Sequence, residues 1–414
     1  MKKLLAMLLV LAMISCLFVA CANNDSETDA PTAAPTEDTN TNESTDGNTD
    51  ATEPDDNNGD VKIAMITDYG DITDQSFNQT TYEACQKFAG DNGYDFKYYK
   101  PTDNSTAGRV ASTELAIADG YNVIVMPGYA FGGTIVEVAP QYPNVKFIAL
   151  DVAKGDLLEA AVANAGETYD YNPDNWNLAD YVDLSNVYCA VYQEELSGYM
   201  AGYAAVCLGY TKLGFLGGMA VPAVIRFGYG FVQGAEAAAK EKNVNVTVKY
   251  SYKYGENFSA SSELQTQISG WYQNGTEVVF ACGGSMFQSV KSAAGENANA
   301  KIIGVDVDQS NESDRVITSA VKGLSVSVEK VLGQYFDGKW DAELGAKTQN
   351  LGAADDATGL PTDTWSLKNF TVDQYKAVFE KIKKGEIAPK SDVPGNANNG
   401  DWLKGFEKVT VEFE

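Results

Sequence analysis

Nine short runs rich in β-branched and aromatic residues recur along the chain, and longer stretches with the spacing of amphipathic helices separate them. A strand, a helix and a further strand in succession predict a parallel sheet, because only a crossover brings the chain back in the same direction. The runs occupy residues 61–67, 94–99, 121–127, 145–151, 186–192, 212–218, 244–250, 276–282 and 301–308. Nine strands are more than one simple doubly wound unit usually carries. We therefore predict an α/β chain of two lobes that separate near residues 183–186.

The first 20 residues have the order of a secretory signal: two lysines, an apolar run and a small residue before Cys21. No stop-transfer pattern follows, and the cysteine after Ala20 makes the segment resemble a bacterial lipoprotein signal. Cys16 is a competing acceptor, but apolar sequence continues beyond it. We predict that residues 1–20 are removed and that Cys21 carries a lipid anchor at the extracytoplasmic face of the cell membrane. An ordinary signal followed by an incidental cysteine is the alternative.

Residues 21–60 are predicted to form a disordered acidic linker. From Ala22 to Asp60 the chain has no large apolar residue, no lysine and no arginine, so it cannot bury enough surface to offset its ordering entropy. Removing the signal (+2) and the linker (−12) from the net charge of −27 leaves −17 for residues 61–414. That charge repels phosphate groups, which disfavours nucleic acid and polyanionic ligands as partners.

Residue types exclude several further chemistries. The chain has no histidine, which rules out histidine triads, histidine general bases and histidine metal sites. Residues 306–314 alternate oxygen ligands as a calcium loop does but lack its glycine and final glutamate, and the glycine-rich turns carry no dinucleotide fingerprint. We therefore expect no metal and no cofactor. The folded part has four cysteines, Cys85, Cys189, Cys207 and Cys282, which lie in apolar stretches without C-x-x-C spacing. We expect them to be buried free thiols, and disulfides are the alternative.

Polar, aromatic and glycine residues cluster where the predicted strands end. In open parallel sheets, ligands bind beyond the carboxyl ends of the strands. These positions hold Asp68, Phe77, Asn78 and Asp151 in the first lobe, and Gly283, Phe287 and Asp306 in the second. An aromatic ring beside an amide suits a planar heterocycle. Two lobes that face each other would bring all of these residues to one cleft.

Five segments, in order, resemble one known family. They are TDYGDITDQSFNQTTYEAC (67–85), EELSGYMAGYAA (194–205), FGYGFVQGAEAA (227–238), GVDVDQS (304–310) and VITSAVKG (316–323). Together they are similar to the basic membrane protein family of ABC-transporter substrate-binding lipoproteins, whose best understood members are purine nucleoside receptors. The similarity covers residues 61–335 and implies a type I periplasmic-binding-protein fold, with two Rossmann-like lobes and a ligand cleft between them. Residues 155–185 look like an insertion, and residues 341–414 match only loosely.

The resemblance also implies roles at the base end of a bound nucleoside. Phe77 would stack on the purine, and the amide of Asn78 would hydrogen-bond the edge of the base. Asp68 and Asp151 would line the base side of the pocket, where a carboxylate accepts N–H groups. A helix-capping or loop role for these two aspartates, and a packing role for Phe77, are the alternatives.

The second lobe would complete the pocket. Phe287 is the predicted second aromatic face, with Phe227 as the alternative. At the sugar end the resemblance implies that Asp306 accepts both hydroxyls of a ribose diol and that Lys322 donates to them, whereas an exposed ion pair is the alternative. Backbone amides would approach the ligand at two glycines, Gly283 and Gly284.

The sequence thus predicts a monomeric substrate-binding lipoprotein, not an enzyme, that captures a purine nucleoside between two lobes and presents it to an ABC permease in the membrane. A receptor for a simple sugar or signal molecule on the same fold is one alternative. A nucleoside hydrolase that uses paired carboxylates is another, although its usual calcium-binding aspartate cluster is missing.

The predicted parts are a signal (1–20), a linker (21–60), an N-terminal lobe (61–185), a C-terminal lobe (186–308), a crossover to the first lobe (309–340) and a segment completing both lobes (341–414).

Overall fold

The structure is a computed structural model, and it describes residues 61–391, 393 and 397–414. The predicted signal, the predicted anchor Cys21 and the predicted linker lie outside the described residues. Within the described part, no helix is both long enough and apolar enough to cross a membrane.

The first part of the chain alternates strands and helices as its periodicity predicts. Its elements are β1 (Lys62–Ile66), α1 (Phe77–Asn92), β2 (Asp95–Tyr99), α2 (Thr106–Ala118), β3 (Val123–Pro127), α3 (Phe131–Val138), β4 (Lys146–Leu150), α4 (Lys154–Asn164) and β5 (Val187–Tyr192). The middle part continues with α5 (Glu194–Cys207), β6 (Lys212–Gly217), α6 (Pro222–Lys242), β7 (Val246–Ser251), α7 (Ser262–Gln273), β8 (Val278–Cys282), α8 (Phe287–Gly295), β9 (Lys301–Asp306) and β10 (Val316–Lys322). All nine predicted runs therefore form strands, β1 to β9.

The last part of the chain contributes to both sheets. It consists of α9 (Leu324–Phe336), β11 (Lys347–Leu351), β12 (Thr358–Gly359), α10 (Val372–Lys383) and β13 (Val409–Phe413). The first sheet has the strand order β11-β5-β4-β3-β1-β2, and all of its pairs are parallel. The second has the order β12-β10-β9-β8-β6-β7-β13 and is parallel except for the pair β10 and β12.

The lobe boundaries differ from the predicted ones. Strand β5 pairs with β4 and β11, so the chain leaves the first sheet after Tyr192 rather than near residues 183–186. Strand β10 pairs with β9 in the second sheet, so the return crossing follows Lys322 and does not begin at residue 309. The predicted break lies directly before β5. However, β5 is almost fully buried between its two neighbours, and burial of that apolar strand assigns it to the first sheet.

Residues 155–185 include the helix that connects β4 to β5. Helix α4 covers the first third of the segment and packs on α3 as the connection between β4 and β5. The remainder forms two short 3-10 helices, Pro173–Asn175 and Leu178–Asp180. It covers a small apolar cluster around Leu158, Val162 and Tyr169.

Glycines bring α5 and α6 into backbone contact, as the spacing of Gly198 and Gly202 predicts. A Cβ on Gly198 would lie 2.1 Å from the carbonyl oxygen of Phe227, and one on Gly202 would lie 2.0 Å from that of Phe231. Two glycines of α6 face α5 in the same way, Gly230 and Gly234. This pair of helices packs on one face of the second sheet and holds the loop before α6 at the carboxyl edge.

Candidate functional site

A cavity of about 300 Å³ lies where the carboxyl ends of the two sheets meet. Its lining comes from the segments after β1, β2, β3 and β4 and from β5 in the first lobe, and from the segments after β6, β7 and β8 and the ends of β9 and β10 in the second. Seven of the eight predicted ligand-binding residues line it: Asp68, Phe77, Asn78, Asp151, Gly283, Asp306 and Lys322. The size is at the lower end of the range for small-molecule sites.

Phe287 does not line this cavity, so its assignment as the second aromatic face is wrong. Its side chain is fully buried in the core of the second lobe. It shares one face of α8 with Val290 and Ala294, at i, i+3 and i+7, and this face packs on the sheet. The second lobe instead presents Phe227, the predicted alternative, and Phe258, which follows β7.

Asp74 organises the start of α1 beside the cavity. Its carboxylate accepts the backbone N–H groups of Ser76, Asn78 and Gln79 at 2.9, 2.9 and 3.1 Å. It also accepts the side-chain Nδ2 of Asn78, at 3.2 Å. The donors left free at a helix start are thereby satisfied, and the amide of Asn78 is held in one orientation.

Asp68 lies next to this amide. Its Oδ1 accepts the backbone N–H groups of Tyr69 and Gly70 at 2.6 and 2.7 Å. Burial raises the pKa of Asp68, while the bonds from Gly70, Tyr69 and the Asn78 side chain act in the opposite direction. The structure thus brings Asp68, Phe77 and Asn78 to one cavity wall.

Four buried or partly buried charges form a network behind another wall. Lys322 Nζ donates to Asp151 Oδ2 at 2.5 Å and lies 2.9 Å from Glu194 Oε1. The second oxygen of Glu194 accepts Arg226 Nε at 2.5 Å. Glu194 is fully buried and Lys322 nearly so. The network joins the end of β4 in the first lobe to α6 and the end of β10 in the second.

This arrangement groups Asp151 with Lys322. The sequence assigned Asp151 to the base side with Asp68, but its carboxylate pairs with Lys322, which was assigned to the sugar end. The sequence shows which residues end strands but not which charges then pair. Burial alone would lower the pKa of Lys322, but Asp151 and Glu194 raise it above its usual value. Lys322 is therefore a permanent cation at neutral pH.

Asp306 is the carboxylate of the second lobe that meets the cavity. Its Oδ2 accepts the hydroxyl of Ser76 in the first lobe at 2.5 Å. Burial raises the pKa of Asp306 to about 6, against the lowering effects of Lys322 and Ser76. Asp151 and Asp306 both have left-handed backbone, with φ of 64° and 65°. Such strain in non-glycine residues is concentrated at functional sites.

Further contacts link the lobes next to Ser76. Gln309 Nε2 donates to the backbone oxygen of Gln75 at 2.9 Å, and Gln288 donates to the side-chain oxygen of Gln75. The rings of Tyr69 and Phe258 are stacked across the lobes, with centroids 6.3 Å apart and planes at 21°. The two lobes are therefore in direct contact around the cavity.

Several residues of the site were not found from the sequence. Asp74 had a weak signal, because aspartate often accepts backbone N–H groups near a helix start, although Asp74 lies two positions before the N-cap residue Ser76. Glu194 directly follows the segment of β5 and could have been identified as a strand-end carboxylate. Arg226, Tyr69 and Phe258 had no periodic or motif signal that distinguished them from loop and core residues.

The lining is rich in carboxylates. Six aspartates and three basic residues contribute to it, and all three basic residues already pair with acids: Lys100, Arg226 and Lys322. Among the described residues there is no group of three or more acidic or thiol side chains arranged to hold a metal ion. The four cysteines of the described part are free. A neutral ligand with several N–H and O–H donors fits this environment best.

Comparison with known proteins gives one family. A family model described as "Bmp: ABC transporter substrate-binding protein PnrA-like" matches residues 61–395. A relative from Lactococcus lactis, named ABC transporter nucleoside-binding protein BmpA, is 26% identical over 333 residues, which are 75% of this chain and 84% of that protein. Basic membrane protein B of Borreliella burgdorferi is 24% identical over 338 residues, 80% of this chain and 87% of that protein.

Solved structures agree on the fold. A solute-binding protein of an ABC transporter system from Aeropyrum pernix K1 has a TM-score of 0.59 at 19% identity and covers 80% of this chain and 88% of its own. A solute-binding protein from Conexibacter woesei has a TM-score of 0.58 at 20% identity, and the match covers 80% of this chain and 99% of that chain. The predicted type I periplasmic-binding-protein fold is thereby confirmed.

Proposed function

The chain belongs to the Bmp family of PnrA-like ABC transporter substrate-binding proteins, which are not enzymes, and we propose that it captures a purine nucleoside between its lobes for delivery to a membrane permease. One observation carries the proposal: the cavity between the sheets has aromatic rings, an amide and carboxylates from both lobes around one ligand-sized space. The relative named for nucleoside binding supports this choice of ligand.

The aromatic residues suit the flat part of such a ligand. Phe77 reaches the cavity from the first lobe, and Phe227 and Phe258 reach it from the second. Stacking between aromatic rings and a base contributes about 1–3 kcal/mol per base. Asp68 and Asn78 lie beside Phe77 and would meet the edge of the base, and the carboxylate of Asp306 would accept hydroxyl groups of the sugar. A simple sugar lacks the planar group that three phenylalanines would contact.

Capture would follow from closure of the lobes. A ligand that contacts both lobes stabilises the closed form by the difference between its affinities for the closed and open forms. The contacts of Ser76 with Asp306 and of Gln309 with Gln75 join the lobes, and they would form together with ligand binding. The permease would then distinguish the loaded, closed form from the open one.

Calorimetry on protein freed of co-purifying ligand tests the proposal. At fixed pH and ionic strength, adenosine, guanosine or inosine should bind with a dissociation constant of about 1 µM or lower. Adenosine monophosphate should bind at least about a hundredfold more weakly, because six aspartates line the cavity and its buried cations are already paired. Ribose and glucose should also bind at least about a hundredfold more weakly, since they offer no ring to stack.

The same titrations include the outcome that contradicts the proposal. Tight binding of a simple sugar without detectable binding of any nucleoside would favour the alternative receptor function. Mass spectrometry of the small molecule that co-purifies with the protein provides an independent identification.

We further propose that Cys21 anchors the protein to the membrane, in keeping with relatives that are named lipoproteins. The substitution Cys21→Ala should move the protein from the membrane fraction to the soluble fraction, because the acylated residue is lost. Cys16→Ala is the matched control and should leave the protein with the membranes. The reverse pattern in fractionation would assign the anchor to Cys16.

A further inference from the structure

An unpartnered acceptor lies in the wall of the cavity. The side chain of Asn78 is 4% exposed and lines the cavity, and within the described part of the chain its Oδ1 has no hydrogen-bond partner. A buried acceptor without a donor is costly for a protein. We therefore expect the ligand to supply the hydrogen-bond donor for this oxygen.

The orientation of this amide is fixed by its neighbours. Nδ2 donates to Asp74, and the Asn78 side chain also hydrogen-bonds Asp68. Carboxylates that accept several backbone N–H groups are acceptors only, so they hold the nitrogen end of the amide and leave the oxygen end for the ligand. Asp74 is itself held by three backbone N–H groups at the start of α1.

The neighbouring carboxylate adds a second acceptor. Both backbone bonds to Asp68 end on Oδ1. Its Oδ2 lies on the side of Gly128, where a Cβ would be 3.1 Å away, and both residues line the cavity. This part of the wall therefore presents the oxygens of Asn78 and Asp68 as acceptors, because the amide donors of Asn78 are already used.

We infer that this acceptor wall recognises the N1–H and 2-amino groups of guanine, so that guanosine is the preferred purine nucleoside. The inference rests on the proposed function and specifies its ligand. Guanine carries two adjacent N–H donors on one edge, and hypoxanthine carries only N1–H. Adenine presents the lone pair of N1 there, which would face the oxygens of Asn78 and Asp68 without a proton between them. The expected order of affinity is guanosine, then inosine, then adenosine.

A ligand series on the unaltered protein tests the order. In calorimetry at one pH and ionic strength, guanosine should bind about tenfold or more tightly than adenosine, with inosine between them, because an unpaired buried polar group discriminates strongly. Guanosine methylated at N1 should also lose about tenfold or more, since its N1 donor is blocked. Adenosine binding as tightly as guanosine would overturn the inference and leave the proposed function intact, whereas failure of all nucleosides to bind would overturn both.

A variant tests whether the fixed orientation of the Asn78 amide, and not a general change of the pocket, sets the preference for guanosine. Asp74→Asn replaces one of the two carboxylates that hold the nitrogen of Asn78 with an amide. The orientation that turns the oxygen of Asn78 to the ligand then loses part of its advantage over the reverse orientation, which would present the nitrogen to adenine. The affinity ratio of guanosine to adenosine should then narrow severalfold, whereas Asp91→Asn, the same change at the exposed end of α1, should leave it unchanged. An unchanged ratio in an Asp74→Asn protein that melts cooperatively would overturn this role of Asp74. If that variant does not fold, the ligand series on the unaltered protein decides the inference.

Discussion

Replacing Lys322 with methionine is expected to destabilise the protein by about 3–5 kcal/mol, the usual effect of removing one member of a buried ion pair. Lys322 is 3% exposed and pairs with Asp151 and Glu194, whose carboxylates are nearly or fully buried. Arg226 continues to neutralise Glu194 in the variant, so the uncompensated charge is that of Asp151. Urea unfolding at neutral pH measures the loss of free energy of unfolding.

The loss should shrink as the pH falls. Burial already raises the pKa of Asp151, and Lys322 acts against that rise. Without Lys322 the pKa in the folded state rises further above the unfolded value of about 3.9. The folded state then binds more protons than the unfolded state, so its stability increases toward low pH. The loss of unfolding free energy should be full at pH values above the raised pKa of Asp151. It should be small at about pH 3.9, the pKa of the aspartate in the unfolded chain.

Two further variants control for other effects of the substitution. Adding Asp151→Asn to the Lys322→Met protein removes the unpaired charge and should recover part of the stability at neutral pH. Lys87→Met removes the lysine of an exposed pair on α1 and should hardly move the urea midpoint, because such pairs are hydrated. A loss for Lys322→Met as small as that for Lys87→Met would contradict a stabilising role for the network.

The sequence predicted the strands well where periodicity is strong and poorly where it is absent. Interior strands such as β3, β4 and β5 were identified because they are nearly continuous buried apolar runs. The edge strand β2 is mostly exposed, and its aromatic residues identified it. The edge strand β11 has the sequence KTQNL and is mostly exposed. It is stabilised by pairing with β5, a contact about 160 residues away along the chain, so no local pattern indicates it.

The same limit applies to the site. Position at a strand end was sufficient to place Asp68, Asn78 and Asp306 at the cavity, because the carboxyl ends of a parallel sheet share one edge. Pairing between lobes could not be read in this way, so the ion pair between Asp151 and Lys322 was not predicted. The prediction for Phe287 was wrong for a different reason. A residue at a helix start can face either the cleft or the sheet, and only the packing of the whole lobe decides between them.

Replacing Gly202 with alanine is expected to destabilise the protein by about 3 kcal/mol, at the upper end for overpacking. The new Cβ would lie 2.0 Å from the carbonyl oxygen of Phe231 and 3.0 Å from the backbone nitrogen of Ala235. Both atoms belong to the backbone of α6, which cannot yield by turning a side chain. The helices must separate, and the separation would also disturb the three reciprocal glycine contacts between α5 and α6. Urea unfolding measures the loss.

Gly333→Ala is the matched control for this prediction. Gly333 lies inside α9, and a Cβ there would meet no atom within 4 Å. Alanine should therefore stabilise this helix by about 0.5–1 kcal/mol, because it lowers the backbone entropy of the unfolded chain. Opposite signs for the same substitution in two helices would attribute the effect of Gly202→Ala to the contact and not to helix propensity. A stabilising Gly202→Ala would mean that α5 and α6 lie farther apart than described.

Because α6 also carries Arg226 and Phe227 to the cavity, a separation of the helices should weaken ligand binding as well as stability.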